Sequence, residues 1–321
     1  MSYFTRASAF APASIGNVGP GLDVLGAAVT GPGDTVVAEW CDADGIVIRD
    51  AGHPELPSEV ARHSASIAAL AVIRAATALG ATHPAEGIAL SVTKGLPLSA
   101  GQGGSAASAV AGAAAVNALL GSPLDTRALL AAALVAEEAV AGRHLDNIAP
   151  SLMGGIVLVR SLDPIDVLRL PVPEGVWVVL AHPDQRLRTA DARAVLPAEV
   201  PRAVALFQMA QVATMVAALY EGDVARFGRA IDDRIAEPAR ARLLPGFAAA
   251  KRAALDAGAL GGSISGAGPT AFAVCDDGAT ADAVAAAMHA SYEASGVNAA
   301  VRVARIDAVG TRVERTSREE R

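Results

Sequence analysis

The chain has 321 residues, 18% of them charged, with a formal net charge of −7. That length buries a substantial core and fits two domains, while the sparse, net negative charge excludes a general basic field, so nucleic acid is not an expected partner. The apolar share of 52% owes much to alanine, and glycine, proline or charge breaks the apolar runs before the roughly 20 residues that cross a bilayer, so no membrane partner is expected.

Ser2 to Ala13 is non-helical in pattern, and the opening MSYFTRASAF lacks the long apolar core of a signal peptide. APASIGNVGPGLDVLG, residues 11–26, follows. Its Gly16, Gly19, Pro20 and Gly21 force an irregular backbone that holds Asn17 and Asp23 in one compact loop. Those side chains either present acceptors to an ammonium or hydroxyl, or serve only the backbone around them. TVVAEW and GIVIRD flank the turn-rich CDADG as a predicted hairpin. Helical apolar spacing then covers 58–79, with Ser58 as candidate N-cap, and GIALSVTKGLPL is a strand leaving through Gly95 and Pro97.

PLSAGQGGSAASAVAGAAAVN, residues 97–117, turns a glycine-rich bend into an alanine-rich helix predicted over 105–120, with Ser105 a residue type that caps helices. The first N–H groups of such a helix lack internal acceptors and lie at the positive end of its dipole, which suits a phosphate. A plain tight turn, capping a helix that packs closely through alanine, fits the same residues. No Gly-Lys-Ser/Thr closes the loop, so P-loop chemistry is not implied. A second helix, predicted over 126–141, ends in Glu137 and Glu138, and His144, Asp146 and Asn147 crowd the turn beyond it. Carboxylates at an apolar helix end are candidate Mg2+ ligands, with the choice between the two open. His144 has no second histidine at ligand spacing, so it is expected to hydrogen-bond rather than bind zinc. GGIVLVR is a strand that ends near SLDPID, which places a domain boundary around residue 165.

The second half is predicted to hold the strand GVWVVLAH, helices over 198–220, 223–231 and 247–257, the strand within GGSISGAGPTAFAVC, and a final helix over 280–295 with the strand AAVRVARIDAV. The tail RVERTSREER reads as a solvated end. In RLRTADARAVLP, Thr189 and Arg193 are four residues apart and share a helix face. EPARARLLPGF offers Arg240 and Arg242, and a pair of arginines drawn from these two stretches can clamp a carboxylate. Each arginine alone also reads as surface charge. GGSISGAGPTAFAV, residues 261–274, is a glycine turn that either approaches a ligand or braces the first loop. Cys41 and Cys275 lie far apart with no CxxC partner, which suggests a reducing cytoplasm.

With these motifs in order, the sequence resembles the GHMP kinase superfamily over nearly its whole length. PLSAGQGGSAAS is similar to that family's ATP-phosphate loop and GGSISGAGPTAFAV to its C-terminal glycine motif. APASIGNVGPGLDVLG, HLDNIAPSLMGG, TADARAVLP and EPARARLLPGF are similar to its homoserine kinase branch. The resemblance implies an α+β fold of two domains, a ribosomal-S5-like one over 1–165 and a ferredoxin-like one over 166–321, with the active site between them. It further implies ATP-dependent phosphorylation of L-homoserine to O-phospho-L-homoserine on the route to threonine, with ATP and Mg2+ as cofactors, in the cytoplasm, by a homodimer. Under it, Pro97, Leu98, Ser99, Ala100, Gly101, Gln102, Gly103, Gly104, Ser105, Ala106 and Ala107 hold the ATP phosphates, and Ser105 and Glu137 face magnesium. Asn17, Asp23, His144, Asn147, Thr189, Arg193 and Arg240 line the amino-acid site; Asp23 is the one conceivable base, assigned instead to the ammonium.

The chain also departs from the family pattern. Gln102 and Gly104 stand where the loop usually has leucine and a first serine, which removes one hydroxyl. The segment between Glu137 and His144 is one residue short, and Leu22 replaces a phenylalanine. Other GHMP kinases, acting on mevalonate or a sugar, and a non-catalytic ATP-binding sensor are the alternatives. The arginine stretches favour an amino acid.

Overall fold

The computed structural model describes residues 4–81 and 87–317. Strands β1 (Phe4–Gly16) and β2 (Leu25–Cys41) pair antiparallel from Arg6↔Glu39 to Gly16↔Gly26, so the loop that joins them carries Asn17 and Asp23 at its tip. β1 alternates at first, burying Ala7, Ala9 and Ala11, and is then buried on both faces through Gly16. β3 (Ile46–Asp50), α1 (Ser64–Ala78) and β4 (Gly87–Thr93) follow. β4 inserts between β2 and β3, which it pairs in parallel. The predicted TVVAEW/GIVIRD hairpin is therefore not formed: the turn at CDADG ends β2 but does not return the chain beside it. α1 starts later than predicted, capped by His63, whose Nδ1 accepts Ala65 N–H at 3.2 Å, because Glu59 O holds the preceding residues in a turn.

α2 (Gly104–Leu119) is buried on nearly all sides, between β1, β2 and α1. Its alanines explain the fit: a Cβ added at Gly112 would run into the Ala65 carbonyl, so larger side chains would push α1 away. α3 (Thr126–Val140), α4 (Ile148–Met153), β5 (Ile156–Leu162) and β6 (Ile165–Leu170) complete the first half. Asp163 and Pro164 form the turn of a β5–β6 hairpin rather than a break, so sheet membership changes after Leu170, beyond the expected residue 165.

The second half holds β7 (Trp177–Pro183), α5 (Thr189–Ala194), α6 (Arg202–Glu221), α7 (Val224–Arg229), α8 (Ala236–Ala241), α9 (Phe247–Asp256), β8 (Gly261–Ile264), β9 (Ala271–Cys275), α10 (Gly278–Ala294) and β10 (Ala299–Arg305). Its antiparallel sheet has the order β10-β7-β9-β8. One face packs against α9 and α10; the other contributes Val178, Leu180, Phe272 and Val274 to the core of the first half. Of the tail expected to be solvated, residues 312–316 are exposed as expected, but they are ordered as β11 (Arg312–Ser317), which returns to the first sheet as an edge strand on β1; residues 318–321 lie outside the described residues. α6 is long and apolar enough, by length and composition alone, to cross a membrane, yet it lays Gln208, Met215, Ala218 and Leu219 against the body.

Candidate active site

A cavity of about 430 Å³ lies between the two halves. Its wall includes Asn17, Pro97, Leu98, Ser99, Ala100, Gly101, Gly103, Gly104, Ser105, Glu137, His144, Asn147, Thr189, Arg193 and Arg240. Asp23 joins them through Arg193. The side chains of Gln102, Ala106 and Ala107 are buried and none of the three lines it, and the Ala107 N–H is taken by Gly103 O at 2.8 Å.

Ser105 is not the cap of α2. Gly103 is, at φ 72°, with no side-chain cap, so the Ser105 hydroxyl is released for another partner. The first-turn N–H groups have no carbonyl one turn back, and the helix dipole adds positive potential there. The loop is held from two sides. From the second half, Ser265 Oγ donates to Gly101 O at 2.6 Å, and Thr270 Oγ1 donates to Ala100 O at 2.6 Å. Because a trans peptide points its N–H opposite its carbonyl, fixing these two carbonyls turns the Gly101 and Gln102 N–H groups away from the brace. The glycine turn at 261–274 thus braces the phosphate-loop candidate. From the first half, Lys94 Nζ binds Asp34, Gly104 O (3.0 Å) and Ser108 Oγ (3.0 Å), while Asp34 accepts the Gly95 and Leu96 N–H groups. This fully buried carboxylate ties the end of β4 to the first turn of α2.

At the same helix end, Ser105 Oγ donates to Glu137 Oε2 at 3.0 Å. Burial pushes the Glu137 carboxyl up to about 7; the Ser105 hydrogen bond opposes this and the Asp146 charge adds to it. Glu138 is exposed on the outer face of α3, so Glu137 is the glutamate of the cavity.

The charged corner opposite is built by the β1–β2 loop, α5 and α8. Asn17 and Asp23 both have φ 58°, a left-handed conformation that Asn and Asp tolerate. Asn17 Oδ1 accepts Asp23 N–H at 2.8 Å, and Asn17 Nδ2 donates to Gly266 O at 3.0 Å. Arg193 Nη2 reaches Asp23 Oδ1 at 2.6 Å, and His144 Nδ1 lies 3.4 Å from the same oxygen. Burial raises the Asp23 carboxyl, but the Arg193 hydrogen bond and the charges of His144, Arg193 and Arg240 outweigh it, leaving it below its ordinary value. Burial lowers the His144 imidazole. Arg193 Nε is buried without a hydrogen-bond partner among the described residues. Arg240 is buried, bonded to Ala192 O and Gly266 O, whereas Arg242 Nε is bonded to Ala239 O on its own helix. Asn147 Oδ1 accepts Ser14 Oγ, and Asp146 Oδ2 accepts Asn17 N–H.

Sequence reasoning missed Asp34, Lys94, Ser108, Ser265 and Thr270. Lys94, one of two lysines and placed just before the loop, was the one available signal.

A helix N-terminus braced by a glycine turn from the second half is the arrangement of a GHMP kinase. The family descriptions "GHMP kinases N terminal domain" and "GHMP kinases C terminal" match residues 65–155 and 215–294. Homoserine kinase of Chloroherpeton thalassium is 39% identical over 296 residues, covering 89% of this chain and 92% of that protein. The Arabidopsis thaliana homoserine kinase is 41% identical, covering 97% and 85%. A crystal structure of homoserine kinase from Cytophaga hutchinsonii superposes with a TM-score of 0.90 at 40% identity, covering 97% of this chain and 98% of that one. The chain belongs to the homoserine kinases of the GHMP kinase family.

Proposed function

We propose that the chain transfers the γ-phosphoryl group of ATP to the side-chain hydroxyl of L-homoserine, giving ADP and O-phospho-L-homoserine on the route to threonine. One observation supports the assignment of roles: a single cavity is lined by both the N-terminus of α2 and the corner that holds Arg193, paired with Asp23, and Arg240. Homoserine has a carboxylate for Arg193 and Arg240, and an ammonium for Asp23.

The hydroxyl oxygen forms a bond to the γ-phosphorus as the bond to the β–γ bridging oxygen breaks, and the hydroxyl proton leaves to solvent or phosphate. Such chemistry depends on positioning and charge stabilisation. The backbone N–H groups of the loop and the first turn of α2 hold the phosphates. A carboxyl held below its ordinary value, as that of Asp23 is, makes a weak base and a good ammonium partner. His144, lowered by burial, is left neutral to hydrogen-bond.

The residues fit a magnesium ion at Ser105 and Glu137. A buried carboxylate pushed up to about 7 lacks the compensating charge that a cation supplies. No group of three or more His, Cys, Asp or Glu suited to a metal occurs among the described residues, which accords with an ion completed by phosphates and water. Held by Ser105 and Glu137, the ion would supply positive charge against that of the phosphates. The free Cys41 and Cys275 support the cytoplasm as compartment, and a homodimer is the oligomer the family suggests.

The test is ADP release by the purified chain with ATP and Mg2+, comparing L-homoserine with L-serine, L-threonine, mevalonate, galactose and no acceptor. Release that depends on L-homoserine, with the product identified by mass, is expected. Turnover of another acceptor alone, or of none, would overturn the proposal.

A further inference from the structure

We propose that Gln208 and Asp233, both outside the cavity, are positioning residues that set the loop carrying Asn17 and Asp23 against the helix carrying Arg240. The proposal rests on the homoserine reading above. Homoserine carries its ammonium and carboxylate on one carbon, so their spacing is fixed. Asp23 and the arginines come from chain segments far apart in sequence, and something has to hold them at that spacing.

Gln208 lies on the inner face of α6 and is 8% exposed. Its Nε2 donates to Pro20 O at 3.1 Å and to Asp233 Oδ1 at 2.8 Å, and its Oε1 accepts Arg234 N–H at 3.2 Å. Only this orientation of the amide serves all three partners, because the reverse would set oxygen against a carbonyl and a carboxylate. Pro20 is in the middle of the Gly16–Asp23 loop, so one end of the link is the loop itself.

Asp233, 6% exposed, is the other end. Its Oδ1 also accepts the Ile235 and Ala236 N–H groups, at 2.8 and 3.1 Å, and its Oδ2 accepts Glu237 N–H at 2.8 Å. These bonds fix the start of α8, and Arg240 follows one turn along it. Inside the cavity the two segments meet again at a shared acceptor, Gly266 O, reached by Asn17 Nδ2 and Arg240 Nη1. The loop and α8 are thus joined at two points, one in the site and one behind it. The line from Pro20 through Gln208 and Asp233 to Ala236 is made of hydrogen bonds between buried groups, and those are costly to leave half-made.

Gln208→Leu keeps the side-chain size and removes both donors. In steady-state assays of the full chain we expect the KM for L-homoserine to rise about tenfold, with kcat at saturating homoserine and the KM for ATP within about twofold. Asp233→Asn raises the homoserine KM in the same way, and the double variant falls short of the product of the two effects, because they share one link. A homoserine KM unchanged in Gln208→Leu, or homoserine and ATP parameters that worsen together with a falling melting temperature, would overturn the proposal. If Gln208→Leu does not fold, Gln208→Met removes the same donors and is read in the same way. A wild-type chain that phosphorylates another acceptor defeats the homoserine reading instead, and that result is visible before any variant is made.

Discussion

Arg193 grips Asp23 with both terminal nitrogens, Nη2 to Oδ1 at 2.6 Å and Nη1 to Oδ2 at 3.3 Å, while its buried Nε has no partner among the described residues. The two are 170 residues apart in sequence. Under the proposed function the substrate gives its ammonium to Asp23 and its carboxylate to Arg193 and Arg240. Asp23→Asn is expected to raise the KM for L-homoserine by about ten- to a hundredfold, the usual cost of losing a partly buried charge-assisted contact, with kcat largely kept. A collapse of kcat at saturating homoserine would make Asp23 the base instead.

Ser105 and Glu137 are the candidate magnesium pair, and the 3.0 Å bond between them is the only hydrogen bond either side chain makes among the described residues. Ser105→Ala should raise the Mg2+ concentration needed for half-maximal rate and lower kcat/KM for ATP about tenfold, leaving the homoserine KM in place. Glu137→Gln should cost about a hundredfold or more. Glu138→Gln, on the exposed face of α3, should cost nothing. Equal losses in the two glutamate variants would remove Glu137 from the site.

What could be seen in the sequence was what chemistry forces into short stretches. The β1–β2 loop needs glycines and residues tolerant of positive φ, so Asn17 and Asp23 stood out; the α2 N-terminus needs glycine, so its loop stood out. The alanine helix answered to both of its readings, since α2 is packed tightly along its length and open at its N-terminus. Pairing across long separations was hidden. Nothing local in GIVIRD says that β4 lies between it and β2, and nothing in RVERTS says that β1 is its neighbour. The Lys94–Asp34 pair spans 60 residues and the Thr270–Ala100 bond 170, so these supports emerge only when the chain is folded. Serine and threonine give no signal of their own at such positions; Lys94, one of two lysines, was the exception.

The brace behind the phosphate loop has its own signature. Thr270→Val keeps the shape of the side chain and removes the hydroxyl that holds Ala100 O at 2.6 Å; Ser265→Ala does the same for Gly101 O. Each is expected to raise the KM for ATP about three- to tenfold, and the two together more, with the homoserine KM unmoved. If the homoserine KM rises instead, the glycine turn serves the acceptor rather than the nucleotide.

Asp146 gives the fold a dependence on pH. Burial, with the nearby charge of Asp23, pushes its carboxyl from 3.8 up to about 7. Between those values the folded chain holds a proton there that the unfolded chain has released. Stability from this group is therefore complete below 3.8 and is lost as pH rises through about 7. Asp146→Asn cannot ionise, and it keeps an oxygen to accept Asn17 N–H. Urea unfolding should show the wild type and the variant close at about pH 4, with the wild type falling behind by on the order of 1–3 kcal/mol at about pH 8. The Asp23 contribution has the opposite sign, being lost as pH falls, but it is common to both proteins and largely drops out of the difference. Parallel stability curves across that range would mean that Asp146 is ionised in the folded chain throughout, held so by Arg193 and the Asn17 N–H.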